Sequence, residues 1–169
     1  MDLFLNTLEN ETQRFHEQSV RVKFIGDRIR LDPRIIRKMQ EAEELTKDNQ
    51  KFVLMIAIDY GGQWDIQQAM QKILATAVRD GVIAGEVTKQ HIEQALAFPE
   101  LPAPDLLIRT SGEKRLSNFM LWQLAYSELY FTDILWPDFN EAALDAAIFD
   151  YMQRDRRYGE VATTTGRVD

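Results

Sequence analysis

The chain reads as an α/β protein with a mostly parallel central sheet and helices on both faces. Three observations predict this. Short apolar runs alternate with longer amphipathic segments along the chain, the order in which crossover helices connect parallel strands. Residues 52 to 58 are apolar at every position, as in a strand covered on both faces. Finally, the apolar stretch Leu106-Leu-Ile108 runs straight into a polar loop, and open α/β sheets bind ligands beyond the carboxyl ends of their strands.

The elements follow in order. Leu3, Phe4, Leu8 and Phe15 recur at helical spacing, so residues 2 to 16 form an amphipathic helix with Glu9, Glu11 and Gln13 toward water. Val20, Val22 and Phe24 alternate with Arg21 and Lys23, a strand ended by Gly26-Asp27. Asp32-Pro33 supplies an N-cap and a first-turn proline for a helix to about Lys47. The strand from Phe52 to Ile58 is followed by a helix over 65 to 78, with Ile66, Ala69, Met70, Ile73, Leu74 and Ala77 on one stripe and Asp65 as its expected cap. Thr88 caps a shorter helix to about Leu96. Pro99, Pro102 and Pro104 then stiffen the approach to a strand at 105 to 108. A helix is expected over 119 to about 127, a short strand over 129 to 131, a turn at Trp136-Pro-Asp-Phe139, and a last helix beginning at Asn140 with Ala143, Leu144, Ala147, Ile148 and Tyr151 on its apolar face. Residues 1 to 160 are expected to form one domain. Residues 161 to 169 are too poor in apolar side chains to order and are expected to be a disordered tail.

Composition narrows the function. A length of 169 residues suffices for one hydrophobic core. Twenty basic against 27 acidic residues give a formal charge of -7, which disfavours a nucleic-acid partner, because phosphate-backbone binding needs a basic face. With no cysteine there is no disulfide and no thiolate metal site. No run of eighteen apolar residues exists and no signal peptide is visible, so a cytoplasmic location is expected.

Against that acidic background, the loop after the strand at 105 to 108 is locally basic. Arg109 and Arg115 can each fork two N–H donors onto phosphate oxygens, and Ser111-Gly112 permits a tight turn that exposes amides. Ser117 or Asn118 sits where the N-cap of the next helix belongs, so that helix start would add its own N–H groups. The plainer reading is that these arginines make surface ion pairs, for instance with Glu113.

The ordered string Asp105-Leu-Leu-Ile-Arg109-Thr-Ser-Gly-Glu-Lys-Arg115-Leu-Ser-Asn-Phe119, continued by Met-Leu-Trp122-Gln-Leu-Ala-Tyr-Ser-Glu128 and by Leu-Tyr-Phe-Thr-Asp-Ile-Leu-Trp136-Pro-Asp-Phe139, resembles the C-terminal signature of the cis-prenyltransferases, most closely the bacterial undecaprenyl diphosphate synthases. Val20 to Asp27 is similar to the family's strand ending in Ile-Gly-Asp, and Ile56 to Ile66 to its Asn-Tyr-Gly-Gly-Arg segment. Two positions depart from the pattern. Asp59 stands for the usual Asn and Gln63 for the usual Arg. The family's Asp-Gly-Asn-Gly-Arg-Trp loop, which grips the allylic diphosphate and supplies a magnesium-binding aspartate, has no counterpart in these residues, and the resemblance implies that the N-terminal strand and helix of the family fold are absent and that residues 1 to 160 are the C-terminal major part of the family's domain.

The resemblance implies a set of expectations. Arg109, Arg115 and Ser117 fall on positions that bind the diphosphate of isopentenyl diphosphate, and Glu128 falls on a Mg²⁺ ligand. No catalytic residue is expected in this stretch, because the metal aspartate belongs to the missing loop. Phe52 is expected at the closed end of a hydrophobic tunnel. The implied activity is condensation of isopentenyl diphosphate onto farnesyl diphosphate with cis geometry. An N-terminally shortened chain would be inactive by itself. Trp122, Tyr126, Trp136 and Phe139 read as core or as the interface of a homodimer, and release of a polyprenyl product implies transient contact with a membrane surface. The alternative is a noncatalytic phosphate-binding or accessory subunit. His16 and His91 have no partner at ligand spacing and are given no role.

Overall fold

The computed structural model describes residues 2–80 and 84–154, and these fall into two compact units, Met1–Glu100 and Leu101–Asp169. The expected tail at 161 to 169 lies outside the described residues. The division falls among the three prolines that the sequence places around residue 100.

The first unit runs α1 (Asp2–Glu17), β1 (Val20–Ile25), α2 (Pro33–Thr46), β2 (Phe52–Ala57), α3 (Gly62–Asp80), a 3₁₀ turn (Ala84–Glu86) and α4 (Lys89–Ala95). β1 and β2 pair in parallel from Val20↔Phe52 to Ile25↔Ala57, with α2 as the crossover. The alternation read in β1 is realised in packing. Val22 and Phe24 point into a core with Leu8 of α1 and Ile35, Met39 and Ala42 of α2, and Phe15, Leu31, Ile56 and Ile58 pack against it. Asp32 caps α2 by accepting the Arg34 N–H, with Pro33 in the first turn as expected.

α2 also closes the outer edge of β1. The Val22 N–H donates to Thr46 Oγ1 at 3.0 Å, the Phe24 N–H donates to Glu43 Oε1 at 3.0 Å, and Asn49 Nδ2 donates to the Val20 carbonyl at 2.8 Å. Acceptors three residues apart on a helix thus meet backbone N–H groups two residues apart on a strand, and these two N–H groups of β1 are satisfied from α2. β2 differs from expectation. No residue in it is buried and Phe52 is 60% exposed, because β2 pairs with one strand among the described residues.

α3 begins at Gly62, three residues before the expected cap. Asp65 lies inside it and is 2% exposed, accepting from the Tyr60 hydroxyl at 2.9 Å and the Ala97 N–H at 2.8 Å. It ties the helix start to the segment after α4 instead of capping. The predicted stripe splits. Ala69 is buried, whereas Met70, Leu74 and Val78 form an exposed ridge. Thr88 caps α4 as expected, and His91 completes the capping box by accepting from the Thr88 N–H through Nδ1, a structural role that spacing alone did not suggest.

The second unit contains β3 (Leu106–Arg109), β4 (Glu128–Phe131), a 3₁₀ turn (Trp136–Asp138) and α5 (Glu141–Met152). β3 and β4 pair in parallel from Leu106↔Glu128 to Arg109↔Phe131. The expected single sheet is therefore realised as two parallel pairs, one in each unit. The helix expected over 119 to 127 is absent, and a series of turns joins β3 to β4 instead. The reason is backbone conformation. Ser117, Asn118 and Met120 have φ of 47°, 66° and 44°, which an α-helix of L-residues excludes. α5 starts where expected, with Asn140 Oδ1 accepting the Ala143 N–H.

Candidate functional site

In the second unit, the end of β3 carries the arginine loop. Arg109, half-buried, donates through Nη1 to Ser117 Oγ at 3.1 Å and to the Arg115 carbonyl. Arg115 donates through Nε to the same Ser117 Oγ at 3.1 Å and pairs with Glu113. Two guanidinium groups therefore aim at one neutral hydroxyl oxygen. Arg109, Arg115 and Ser117, singled out from sequence, are brought together, and the ion pair read as the plainer use of Arg115 is present as well.

How the loop reaches this shape differs from expectation in two respects. The Ser111 and Gly112 amides are not exposed toward a ligand. They donate at 2.9 Å to the Ile134 and Thr132 carbonyls, and the Thr132 N–H returns a bond to the Arg109 carbonyl, so the strand pairing continues into the loop. Ser111 takes φ of 67° and Gly112 takes 70°, and a side chain at Gly112 would come within 3.0 Å of Asp133 Oδ1. Nor does a helix start face the arginines, since Ser117 and Asn118 cap no helix. The positive character of the loop therefore comes from its side chains, the two guanidinium groups at Ser117 and the exposed Lys114, and not from a helix start.

Glu128 does not join them. The β3–β4 register puts it opposite Leu106, three steps from Arg109 and so about 10 Å along the sheet. Its Oε2 accepts from Arg154 Nη1 at 2.8 Å. The same Nη1 donates to the Leu129 carbonyl at 3.0 Å, while Nε and Nη2 donate to Asp150 Oδ2 at 2.9 and 2.6 Å. Hydrogen bonds to Glu128 first and Asp150 second raise the Arg154 pKa above its ordinary value. As donors, a carboxylate with a second carboxylate and a carbonyl nearby suit a hard cation such as Mg²⁺, which takes one or two carboxylates and completes its shell with phosphate and water oxygens. In this arrangement Arg154 holds those oxygens, and among the described residues no group of three or more His, Cys, Asp or Glu could hold a metal. The Asp150–Arg154 pair, at helical i, i+4 spacing, is legible in sequence. The reach to Glu128 is not.

In the first unit, the ends of β1 and β2 meet. The Asp27 N–H donates to the Asp59 carbonyl at 3.1 Å. Gly26 has φ of 121°, and an added Cβ would lie 1.9 Å from the Ile58 carbonyl oxygen, so only glycine fits. Asp59, the departure from the family Asn, is matched by Arg30, whose Nη2 and Nε donate to its two oxygens at 3.0 and 3.2 Å. The same unit has a second basic place, an open cleft of about 430 Å³ over β1 lined in part by Arg21, Lys23, Lys47, Glu43, Trp64 and Phe98. Burial first, and Arg21 second, lower the Lys23 pKa, while Glu100 pairs with its amine.

Residues 1–159 match the family model described as putative undecaprenyl diphosphate synthase. An isoprenyl transferase of Neisseria gonorrhoeae is 48% identical over 162 residues, covering 96% of this chain and 63% of its own. A ditrans,polycis-undecaprenyl-diphosphate synthase, (2E,6E)-farnesyl-diphosphate specific, of Pseudomonas syringae pv. tomato is 50% identical over 163 residues, covering 96% and 64%. The chain thus spans a little under two-thirds of these relatives. Among solved structures, lavandulyl diphosphate synthase from Lavandula x intermedia in complex with dimethylallyl diphosphate superposes with a TM-score of 0.88 at 36% identity, over 95% of this chain and 70% of that one. A probable undecaprenyl diphosphate synthase from Campylobacter jejuni gives 0.81 at 30% identity, over 94% and 72%.

Proposed function

The chain belongs to the undecaprenyl diphosphate synthase family, and from that premise we propose that its loop from Arg109 to Ser117 receives the diphosphate of isopentenyl diphosphate within a cis-prenyltransferase. The enzyme condenses that unit onto an allylic diphosphate, farnesyl diphosphate, with cis geometry, forming a long-chain polyprenyl diphosphate. One observation carries this reading: the guanidinium groups of Arg109 and Arg115 converge on a single small oxygen, Ser117 Oγ. A diphosphate oxygen is a stronger acceptor than a serine hydroxyl, so an anion arriving there gains charge-assisted bonds from donors already in place. Arg109 is anchored by its bond to the Arg115 carbonyl and fixes the position. Arg115, 63% exposed, is the arm that closes over the anion. Ser117 can turn its own hydroxyl proton toward the ligand.

Glu128 is the residue that would hold Mg²⁺, in company with diphosphate oxygens. When bound, the ion supplies neutralisation of the diphosphate charge that the arginines alone leave incomplete. The homodimer, the cytoplasmic location and brief contact with a membrane surface belong to the same reading. For the membrane the structure offers only that, among the described residues, no helix is long and apolar enough to cross one.

These 169 residues hold the loop from Arg109 to Ser117 and no counterpart of the family's Asp-Gly-Asn-Gly-Arg-Trp loop, and they are expected to bind isopentenyl diphosphate without completing transfer. Radiolabelled isopentenyl diphosphate with farnesyl diphosphate and Mg²⁺ tests this. Binding at micromolar to millimolar concentration with no incorporated label is the expected result, and absence of binding overturns the site. Robust incorporation would place the allylic and metal functions within these residues. The Arg154 hold on Glu128 favours a second reading, a diphosphate-binding or accessory subunit that works without a metal.

A further inference from the structure

We propose that Arg154 is a positioning residue that occupies the cation place at Glu128, so that a divalent ion and the Arg154 guanidinium compete for one carboxylate. This rests on the reading of Glu128 as the metal ligand. Three oxygens from two elements of the second unit converge on this one side chain: Glu128 Oε2 at the start of β4, the Leu129 carbonyl beside it, and Asp150 Oδ2 in the last turns of α5. The Arg154 side chain is 32% exposed, and the Glu128 and Asp150 side chains are 29% and 46% exposed. Two half-shielded carboxylates that face each other repel, and something positive must stand between them. Arg154 does so with four hydrogen bonds.

The guanidinium meets the chemical demand of the place only in part. It carries one positive charge against two negative ones, which leaves the cluster net negative. Its flat fork holds the oxygens at 2.6 to 3.0 Å from nitrogen, whereas Mg²⁺ draws oxygens to about 2.1 Å. A divalent ion would therefore cancel the whole charge and pull the carboxylates inward, and it cannot share Glu128 Oε2 with the guanidinium. Arginine keeps its proton at any pH the fold survives, so it can vacate the place only by swinging away. Arg154 follows the end of α5 and its Gln153 cap, and that swing leaves the helix intact. The arginine holds Glu128 at the start of β4. Diphosphate oxygens would add ligands that a divalent ion can use and the guanidinium cannot, and would tip the balance toward the ion.

The test uses the 169-residue chain and Mn²⁺ alone, read by loss of the free-ion signal in electron paramagnetic resonance. Arg154→Gln is expected to bind Mn²⁺ about tenfold more tightly than the unaltered chain, the scale set by removing one charge-assisted competitor. The gain should vanish in Glu128→Gln/Arg154→Gln, and Arg154→Lys, which keeps the charge without the fork, should recover most of the original weakness. Equal affinity in Arg154→Gln and the unaltered chain overturns the competition and leaves Glu128 as a ligand. No Mn²⁺ bound by any of the proteins, even with inorganic diphosphate present, overturns both. A measurement without a variant guards against misfolding. On titration with Mg²⁺, the Arg154 Nε resonance should move in step with saturation, and a resonance that stays fixed while the ion binds also overturns the proposal.

Discussion

Replacing the loop's three cations one at a time separates a built diphosphate site from a merely positive surface. Arg109→Ala removes a guanidinium that donates to Ser117 Oγ and to the Arg115 carbonyl, so it takes away a direct contact and the brace that orients its neighbour. A charge-assisted hydrogen bond contributes about 1.5 to 3 kcal/mol, which corresponds to about a ten- to a hundredfold weaker Kd for inorganic diphosphate. Arg115 is 63% exposed and already shared with Glu113. Screening cuts its share to about 1 kcal/mol, near fivefold. Lys114 lies between them, is exposed, and has no part in the Ser117 cluster. Lys114→Ala should change the Kd less than about twofold, as expected of an unpositioned surface charge at about 0.1 M salt. Isothermal titration of inorganic diphosphate into the three variants, with circular dichroism as the fold control, gives the ordering directly. Equal losses for Lys114→Ala and Arg109→Ala would refute the reasoning, since they would mean that net charge, not convergence on Ser117, binds the anion.

Three further outcomes follow from the first unit. Gly26→Ala forces a Cβ to 1.9 Å from the Ile58 carbonyl at a φ of 121°, and should destabilise the chain by more than about 3 kcal/mol in urea unfolding; a loss below about 1 kcal/mol would show that the strand ends do not meet as described. Thr46→Val leaves the buried Val22 N–H without its acceptor and should cost about 1 to 3 kcal/mol, measurable in the same experiment; a neutral effect would mean that the β1 edge finds another partner. Asp32 has its pKa lowered from 3.8 to about 2, chiefly by the Arg34 side-chain hydrogen bond and then by the Arg34 backbone N–H. Because the folded value is the lower one, its contribution is fully present above about pH 4 and is lost as pH falls toward 2. Asp32→Asn should therefore flatten part of the acid limb of stability in that window and leave the slope between pH 5 and 7 unchanged.

Local signals carried well from sequence to structure. The period-two alternation of Val20, Val22 and Phe24, the Asp32-Pro33 start, the Thr88 and Asn140 caps and the apolar strand at 106 to 108 each depend on a few neighbouring residues, and each appears in the fold. The failures occurred where a distant partner decides. Phe119-Met-Leu-Trp122 has the composition of a helix, but the chain takes positive φ at Ser117 and Asn118 just before it and at Met120 within it, and no propensity pattern encodes that. Asp65 reads as a cap in sequence because it follows Gly61-Gly62, yet its acceptors serve Tyr60 and, 32 residues later, Ala97. The apolar run of β2 is more hydrophobic than its half-buried setting in the first unit requires. For the site, Arg109, Arg115 and Ser117 were legible because they sit within nine residues of one another. The Arg154 hold on Glu128 spans 26 residues and is visible only once β4 and α5 are folded together.

The central claim is that the diphosphate of isopentenyl diphosphate lodges between Arg109 and Arg115. Arginine-selective ¹⁵N nuclear magnetic resonance of the 169-residue chain, titrated with isopentenyl diphosphate, tests it most directly. The account predicts that the Nε signals of Arg109 and Arg115 shift together along one saturation curve, with the Ser117 amide following and Arg21, Arg28 and Arg30 unmoved. Shifts that gather instead on Arg21, beside Lys23 and Lys47 in the cleft over β1, would contradict it and move the anion site to the first unit.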